Sequence, residues 1–142
     1  MGINVSTDTL MKMLEASPNN FLEKYIEKDN TNEIYFHDYL KSFMEKKKVR
    51  VSTIIKKANI SKTYAYQCLN GERLPGRDIV IRMCLLLGLT VKQSNRMLTL
   101  AKKDILYPKR HRDMLILYCI SKKMDLDKAN EFLEQRGEFS LL

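Results

Sequence analysis

Apolar residues recur along this chain at intervals of three and four, the spacing that lines one face of a helix, and the residues between the runs are helix starters and stoppers. Leu10, Met11 and Leu14 form a first stripe behind candidate caps at Ser6, Thr7 or Asp8. Ser17-Pro18 opens a second stripe of Phe21, Leu22, Tyr25 and Ile26, since proline fits the first helical position. A polar link over residues 29–33 leads to Phe36, Tyr39, Leu40 and Phe43, a helix ending in Lys46, Lys47 and Lys48, where positive charge suits the helix dipole or meets phosphate.

Two short helices joined by a tight turn come next. Ser52 is placed to cap a helix carrying Ile54, Ile55 and Ala58. Asn59 stops it, because its short amide tolerates the left-handed conformation, and Ile60 plugs the corner. Ser61 then caps a helix that turns Ala65, Cys68 and Leu69 inward. Lys62, Thr63, Tyr64, Tyr66, Gln67 and Asn70 face out or partly out. The small Ala58 and Ala65 let the two helices cross closely, Gly71 closes the second, and Pro75 keeps it from running on.

The pattern continues with a helix starting at Asp78 that carries Ile79, Val80, Met83, Leu86 and Leu87 and ends at Gly88. Thr90 and Gln93 have capping-box spacing for a fifth helix through Met97, Leu98 and Ala101. Residues 104–112 read as a linker with a basic cluster after Pro108. An apolar helix over residues 113–123 follows, then one over residues 126–135 with Ala129, Phe132 and Leu133 on one face, stopped by Gly137. No strand pattern interrupts the series, so the fold class expected is all-α. Five glycines, three prolines and eight methionines in 142 residues agree with that expectation.

Charge changes the picture. Residues 41–112 hold 18 Lys and Arg against 4 Asp and Glu, while the remaining residues hold 7 against 13, so the net +8 of the chain conceals a strongly basic middle flanked by acidic ends. A polyanion would bind the middle. The three cysteines, Cys68, Cys84 and Cys119, lie far apart within apolar runs and read as reduced core residues. The opening MGINVSTDTL lacks a basic region and an apolar core, and the longest apolar runs are too short to cross a bilayer; a cytoplasmic protein without membrane contact is expected. The match of Met1-Gly2 and Ser6 to a bare myristoylation pattern is taken as chance.

The pair of short helices, with the stripe at Ile54 and Ile55, the turn Asn59-Ile60-Ser61, the Gly71 stop and Arg73-x-Pro75 leading into another helix, resembles the helix-turn-helix of the lambda-repressor-like, or XRE, family of bacterial and phage transcriptional regulators. The resemblance covers residues 36–103, about half of the chain. It implies a five-helix lambda-repressor-like core there and does not speak for either end; the residue pattern itself gives an acidic N-terminal helical arm over residues 1–35 and a C-terminal helical hairpin over residues 104–142 for bracing or dimerisation. Ile55 stands where the family often has alanine, and Val51 and Ser52 where it has glutamine. Leu69 stands where it has glutamate, which suggests extra apolar surface at the end of the exposed helix.

The resemblance implies sequence-specific binding of double-stranded DNA, with a recognition helix over residues 62–70 in the major groove. Lys62 can donate to guanine, Gln67 can pair two-pronged with adenine, and Thr63, Tyr64 or Tyr66 can touch a thymine methyl, with Asn70 at the end of the same face. Ser52, Lys56, Lys57, Arg73 and Arg77 are candidates for holding phosphate. A homodimer on a palindromic site follows, since one module grips few base pairs. The competing reading is a helix-turn-helix protein-interaction module, antitoxin-like or polymerase-associated, whose lysines only solubilise it. A small-molecule effector cannot be read from the sequence.

Catalytic motifs fail. His111-Arg112-Asp113 spells a protein-kinase triplet, but Tyr118 stands where a metal-binding Asn is needed and no glycine-rich phosphate loop exists. His37 and His111 offer no metal-ligand spacing. Neither an enzyme nor a cofactor is expected.

Overall fold

The computed structural model describes residues 34–142; the helices expected from Leu10 to Ile26 lie outside the described residues. Seven helices and no strand occur among the described residues: α1 (Phe36–Lys47), α2 (Val51–Lys57), α3 (Lys62–Leu69), α4 (Arg77–Leu86), α5 (Val91–Leu100), α6 (His111–Ser121) and α7 (Leu126–Gln135). Residues Tyr35–Leu142 form one compact unit.

Local chemistry sets most of the boundaries. Lys48 adopts φ 56° and ends α1, leaving Arg50 extended. Arg50 therefore begins α2, its carbonyl accepting from the Thr53 and Ile54 amides at 3.1 and 3.3 Å. Ser52, expected to be the cap, lies inside the first turn instead and is exposed, because the chain reverses two residues before it. Asn59 takes φ 55°, as its amide side chain permits, and Ser61 Oγ accepts from the Tyr64 amide at 3.0 Å to start α3. Gly76 precedes α4, which begins at Arg77, one residue ahead of the expected Asp78. Thr90 and Gln93 form a reciprocal capping box at 3.1 and 2.9 Å. Asp125 Oδ1 accepts from the Lys128 amide at 2.8 Å to start α7.

One apolar core runs through the unit. Leu40 of α1, Ile54 of α2, Leu69 of α3, Val80 and Ile81 of α4 and Leu98 of α5 are all buried in it, and so are Ile116 of α6, Leu133 of α7 and Leu141 beyond it. Full burial of each such side chain contributes about 1.5–3 kcal/mol. Ala58 and Ala65 are buried where α2 meets α3. Helix α4 packs against α2, α5 and α7, and α6 packs between α5 and α7, so the final 39 residues share the core of the helices before them rather than standing apart. Leu141 is anchored by its amide, which donates to the buried Asn130 Oδ1 at 2.7 Å, and by its carbonyl, which accepts from Arg82 Nε.

Candidate nucleic-acid interface

Helix α3 is eight residues long and buries one face only. Ala65, Cys68 and Leu69 point into the core. Lys62, Thr63, Tyr66 and Asn70 are exposed and Gln67 is half-buried. None of the side chains of Lys62, Thr63, Tyr66 and Gln67 hydrogen-bonds to another described residue, so their donors and acceptors are open to a ligand. Leu69, expected to add apolar surface, is only 7% exposed and adds to the core, because its position at the end of α3 faces the core-lining side of α1.

The two tyrosines differ. Tyr64 is half-buried; its Oη accepts from the Gly76 amide at 3.2 Å, and the Arg73 guanidinium lies 5.0 Å from its ring centroid. Tyr64 thus ties the exposed helix to the loop leading into α4, and Tyr66, 44% exposed, is the tyrosine that projects. Arg73 is exposed and its guanidinium donates to no other described residue, so its N–H groups remain available to a phosphate. Gly71 takes φ 78° behind α3, and a Cβ there would sit 2.8 Å from His37 Cε1. Glycine is needed at that point both for the backbone and for the approach of α1.

Three expected phosphate ligands are placed differently. Arg77 is committed internally: Nη1 and Nη2 donate to Asp113 Oδ1 and Oδ2 at 3.0 and 2.9 Å, Nε to the Asp104 carbonyl at 3.0 Å, and Nη2 to the Ile105 carbonyl at 2.9 Å. Four of its five N–H groups are consumed, so Arg77 is a structural clamp and not a phosphate ligand. Lys56 and Lys57 are exposed but border a cleft with Asp125 and Asp127, whose carboxylates oppose the approach of a polyanion. Ser52 stays exposed close in sequence to Lys46, Lys47, Lys48 and Arg50, all exposed around the start of α2.

A second clamp lies beside the first. Arg112 donates in parallel to both oxygens of Asp78 at 2.9 and 3.0 Å and to the carbonyls of Phe139 and Ser140. Two Arg-Asp dipeptides, one opening α4 and one in the first turn of α6, are therefore cross-paired. Sequence reasoning missed this pairing, although the repeated dipeptide at helix starts was its visible trace. Burial alone would raise the Asp113 carboxyl, but the hydrogen bonds from Arg77 and the Tyr107 amide, with the charges of Arg77 and Arg110, hold it below the usual range. Burial pushes the Cys84 thiol up to about 12 and raises those of Cys68 and Cys119.

Among the described residues no group of three His, Cys, Asp or Glu side chains is arranged to hold a metal ion, and no helix is long and apolar enough to cross a membrane. No family model matches the chain, and neither the curated proteins nor the solved structures contain a significant match to it.

Proposed function

We propose that this protein is a sequence-specific DNA-binding transcriptional regulator of the lambda-repressor-like type. In this reading α1 to α5 are its five-helix DNA-binding core, and α3 with Asn70 enters the major groove. The observation that carries the reading is the two-sided character of α3: three buried residues fix it, and the outward side chains of Lys62, Thr63, Tyr66 and Gln67 have no hydrogen-bond partner among the described residues. Lys62 then donates to guanine and Gln67 pairs with adenine, while Thr63 or Tyr66 meets a thymine methyl. Arg73 and the exposed cations around Arg50 neutralise phosphates and set the register. Arg77 acts indirectly: it grips the loop between α5 and α6 from the residue next to Gly76, whose amide donates to Tyr64. Two copies on a palindromic site, with recognition helices about 34 Å apart, supply the specificity that one short helix lacks.

Selection of bound duplexes from random DNA tests the reading directly. A palindromic consensus is expected, with affinity that falls log-linearly as salt rises. Lys62→Ala with Gln67→Ala is expected to abolish the preference for the selected site and leave weak, salt-sensitive binding. A double variant that still prefers that site would remove these base contacts from the account, and absence of any DNA binding by the unmodified protein would leave the protein-interaction reading in its place.

A further inference from the structure

The loop between α5 and α6 has no helix of its own, yet its backbone is fixed residue by residue. The carbonyls of Asp104 and Ile105 accept from Arg77, the Leu106 amide donates to Asn95 Oδ1 at 2.9 Å, and the Tyr107 amide donates to Asp113 Oδ2 at 3.1 Å. Leu106 is buried beneath it. A solvated linker has no need of such anchoring, and most of the charged side chains it presents outward are cationic.

Lys102, Lys103, Lys109 and Arg110 are all exposed, against a single carboxylate on the loop, Asp104. Arg77 is already answered by Asp113 and Arg112 by Asp78, while the four exposed cations of the loop have no ion-pair partner among the described residues. Tyr107 is 44% exposed with the Arg110 guanidinium 5.1 Å from its ring centroid, which presents a phenol hydroxyl and a cation together. The loop is also joined to α3 by a short route. Tyr64 of α3 accepts from the Gly76 amide, and Arg77, the next residue, grips the loop at Asp104 and Ile105. Adjacent Cα atoms are about 3.8 Å apart, so the two anchor points sit one residue step from each other.

We propose that residues 102–110 form a second contact with double-stranded DNA, gripping the sugar-phosphate backbone beside the base pairs that α3 reads. The inference rests on the DNA-binding reading above and adds a surface outside the helix-turn-helix. Lys109 and Arg110 neutralise phosphates there, and the Tyr107 hydroxyl donates to a phosphate oxygen. The contact is blind to sequence, since charge and hydroxyl donation to phosphate carry no base information. It lengthens the bound site on one flank and fixes its register. The clamp that takes Arg77 away from phosphate has this consequence: it supplies a rigid cationic loop instead.

The test measures anisotropy of a labelled duplex carrying the selected site, over a salt series, with the unmodified protein, Lys109→Ala/Arg110→Ala, and Tyr107→Ala. All three substituted side chains are exposed, and the hydrogen bonds of Tyr107 and Arg110 that fix the loop and start α6 are made by their backbones, so the fold is retained, as circular dichroism verifies. The double variant is expected to bind about tenfold or more weakly at low salt, with the slope of log affinity against log salt shallower by about 1.8, the value for two phosphates. Its rank order of preferred sequences is expected to be unchanged, and Tyr107→Ala to weaken binding without altering that order. Trimming the duplex at the flank should cost the unmodified protein affinity and leave the double variant unaffected. Unchanged affinity and slope in the double variant overturn the proposal while the regulator reading stands; a changed sequence preference overturns it by making the loop a base reader; no DNA binding by the unmodified protein removes both.

Discussion

Asp113→Ala tests whether the crossed Arg-Asp pairs hold the C-terminal hairpin to the rest of the fold. The Asp113 carboxylate side chain is 4% exposed and accepts three hydrogen bonds, two from Arg77 and one from the Tyr107 amide. Its removal leaves that amide unpaired and the Arg77 charge unanswered. Loss of one member of a buried ion pair costs about 3–5 kcal/mol. Arg77 keeps the carbonyls of Asp104 and Ile105, and its side chain is 24% exposed, so the lower end of that range applies and a loss of about 3 kcal/mol is expected. The neighbouring pair is an internal control. Asp78 meets Arg112 with the same two-pronged geometry, but its side chain is 41% exposed, and ion pairs open to water contribute about 0–1 kcal/mol.

Urea unfolding followed by far-ultraviolet circular dichroism, extrapolated linearly to water, measures both variants. The reasoning is refuted if Asp78→Ala costs as much as Asp113→Ala, or if Asp113→Ala costs under about 1 kcal/mol, since desolvation would then not decide which pair matters. The same carboxylate sets a pH dependence. Its folded value lies below the ordinary one near 3.8, so its stabilisation is complete above that value and is lost as pH falls through the folded value. Unfolding midpoints of the unmodified protein should therefore drop below about pH 4, and Asp113→Asn should remove part of that drop.

Two further outcomes are expected. Gly71→Ala forces a side chain into φ 78° and against the His37 ring, which can swing aside only by giving up its stack on Tyr35; a loss of about 1–3 kcal/mol in thermal unfolding is expected, partly restored by His37→Ala, and a neutral result would contradict the left-handed turn. All three cysteines are buried and their thiols raised, so an aromatic disulfide reagent at pH 8 should react with none in the native protein and with three in denaturant, and a fast-reacting native thiol would show that the core opens.

The features legible in the sequence were those decided within a few residues. Asn59 at a left-handed stop, Ser61 as a cap, the Thr90-Gln93 box and the bounds of α7 follow from side chains acting on their own backbone. The inward set of α3 followed from period alone. The features that were hidden depend on residues far apart in the chain. Arg77 reads as a free cation until Asp113, 36 positions on, is brought to it. Lys56 and Lys57 look like phosphate ligands until Asp125 and Asp127 arrive beside them. Ser52 is a plausible cap by type, but Lys48 had already turned the chain, and a left-handed lysine leaves no trace in a propensity pattern.

The triplet His111-Arg112-Asp113 shows how a motif can be meaningful for reasons unrelated to the chemistry it spells. Asp78 and Asp113 sit in the first turns of α4 and α6, where a carboxylate is favoured by the helix dipole, and each accepts the arginine that precedes the other. Arg112 reaches past its partner to the carbonyls of Phe139 and Ser140, and His111 pairs with Glu138 at 2.7 Å, so all three residues hold chain-distant segments in place. Arg82 carries the linkage onward, donating to the Leu141 carbonyl and to that of Ala58, the last residue before the turn into α3, at 2.7 Å for the latter. The far side of that turn is thereby tied to the segment after α7. Were α3 to read base edges, as proposed above, it would benefit from being ordered before it meets them, because ordering deferred to the moment of contact is subtracted from affinity. On this argument the C-terminal hairpin serves the exposed face of α3 from behind, by making the turn that presents it stiff.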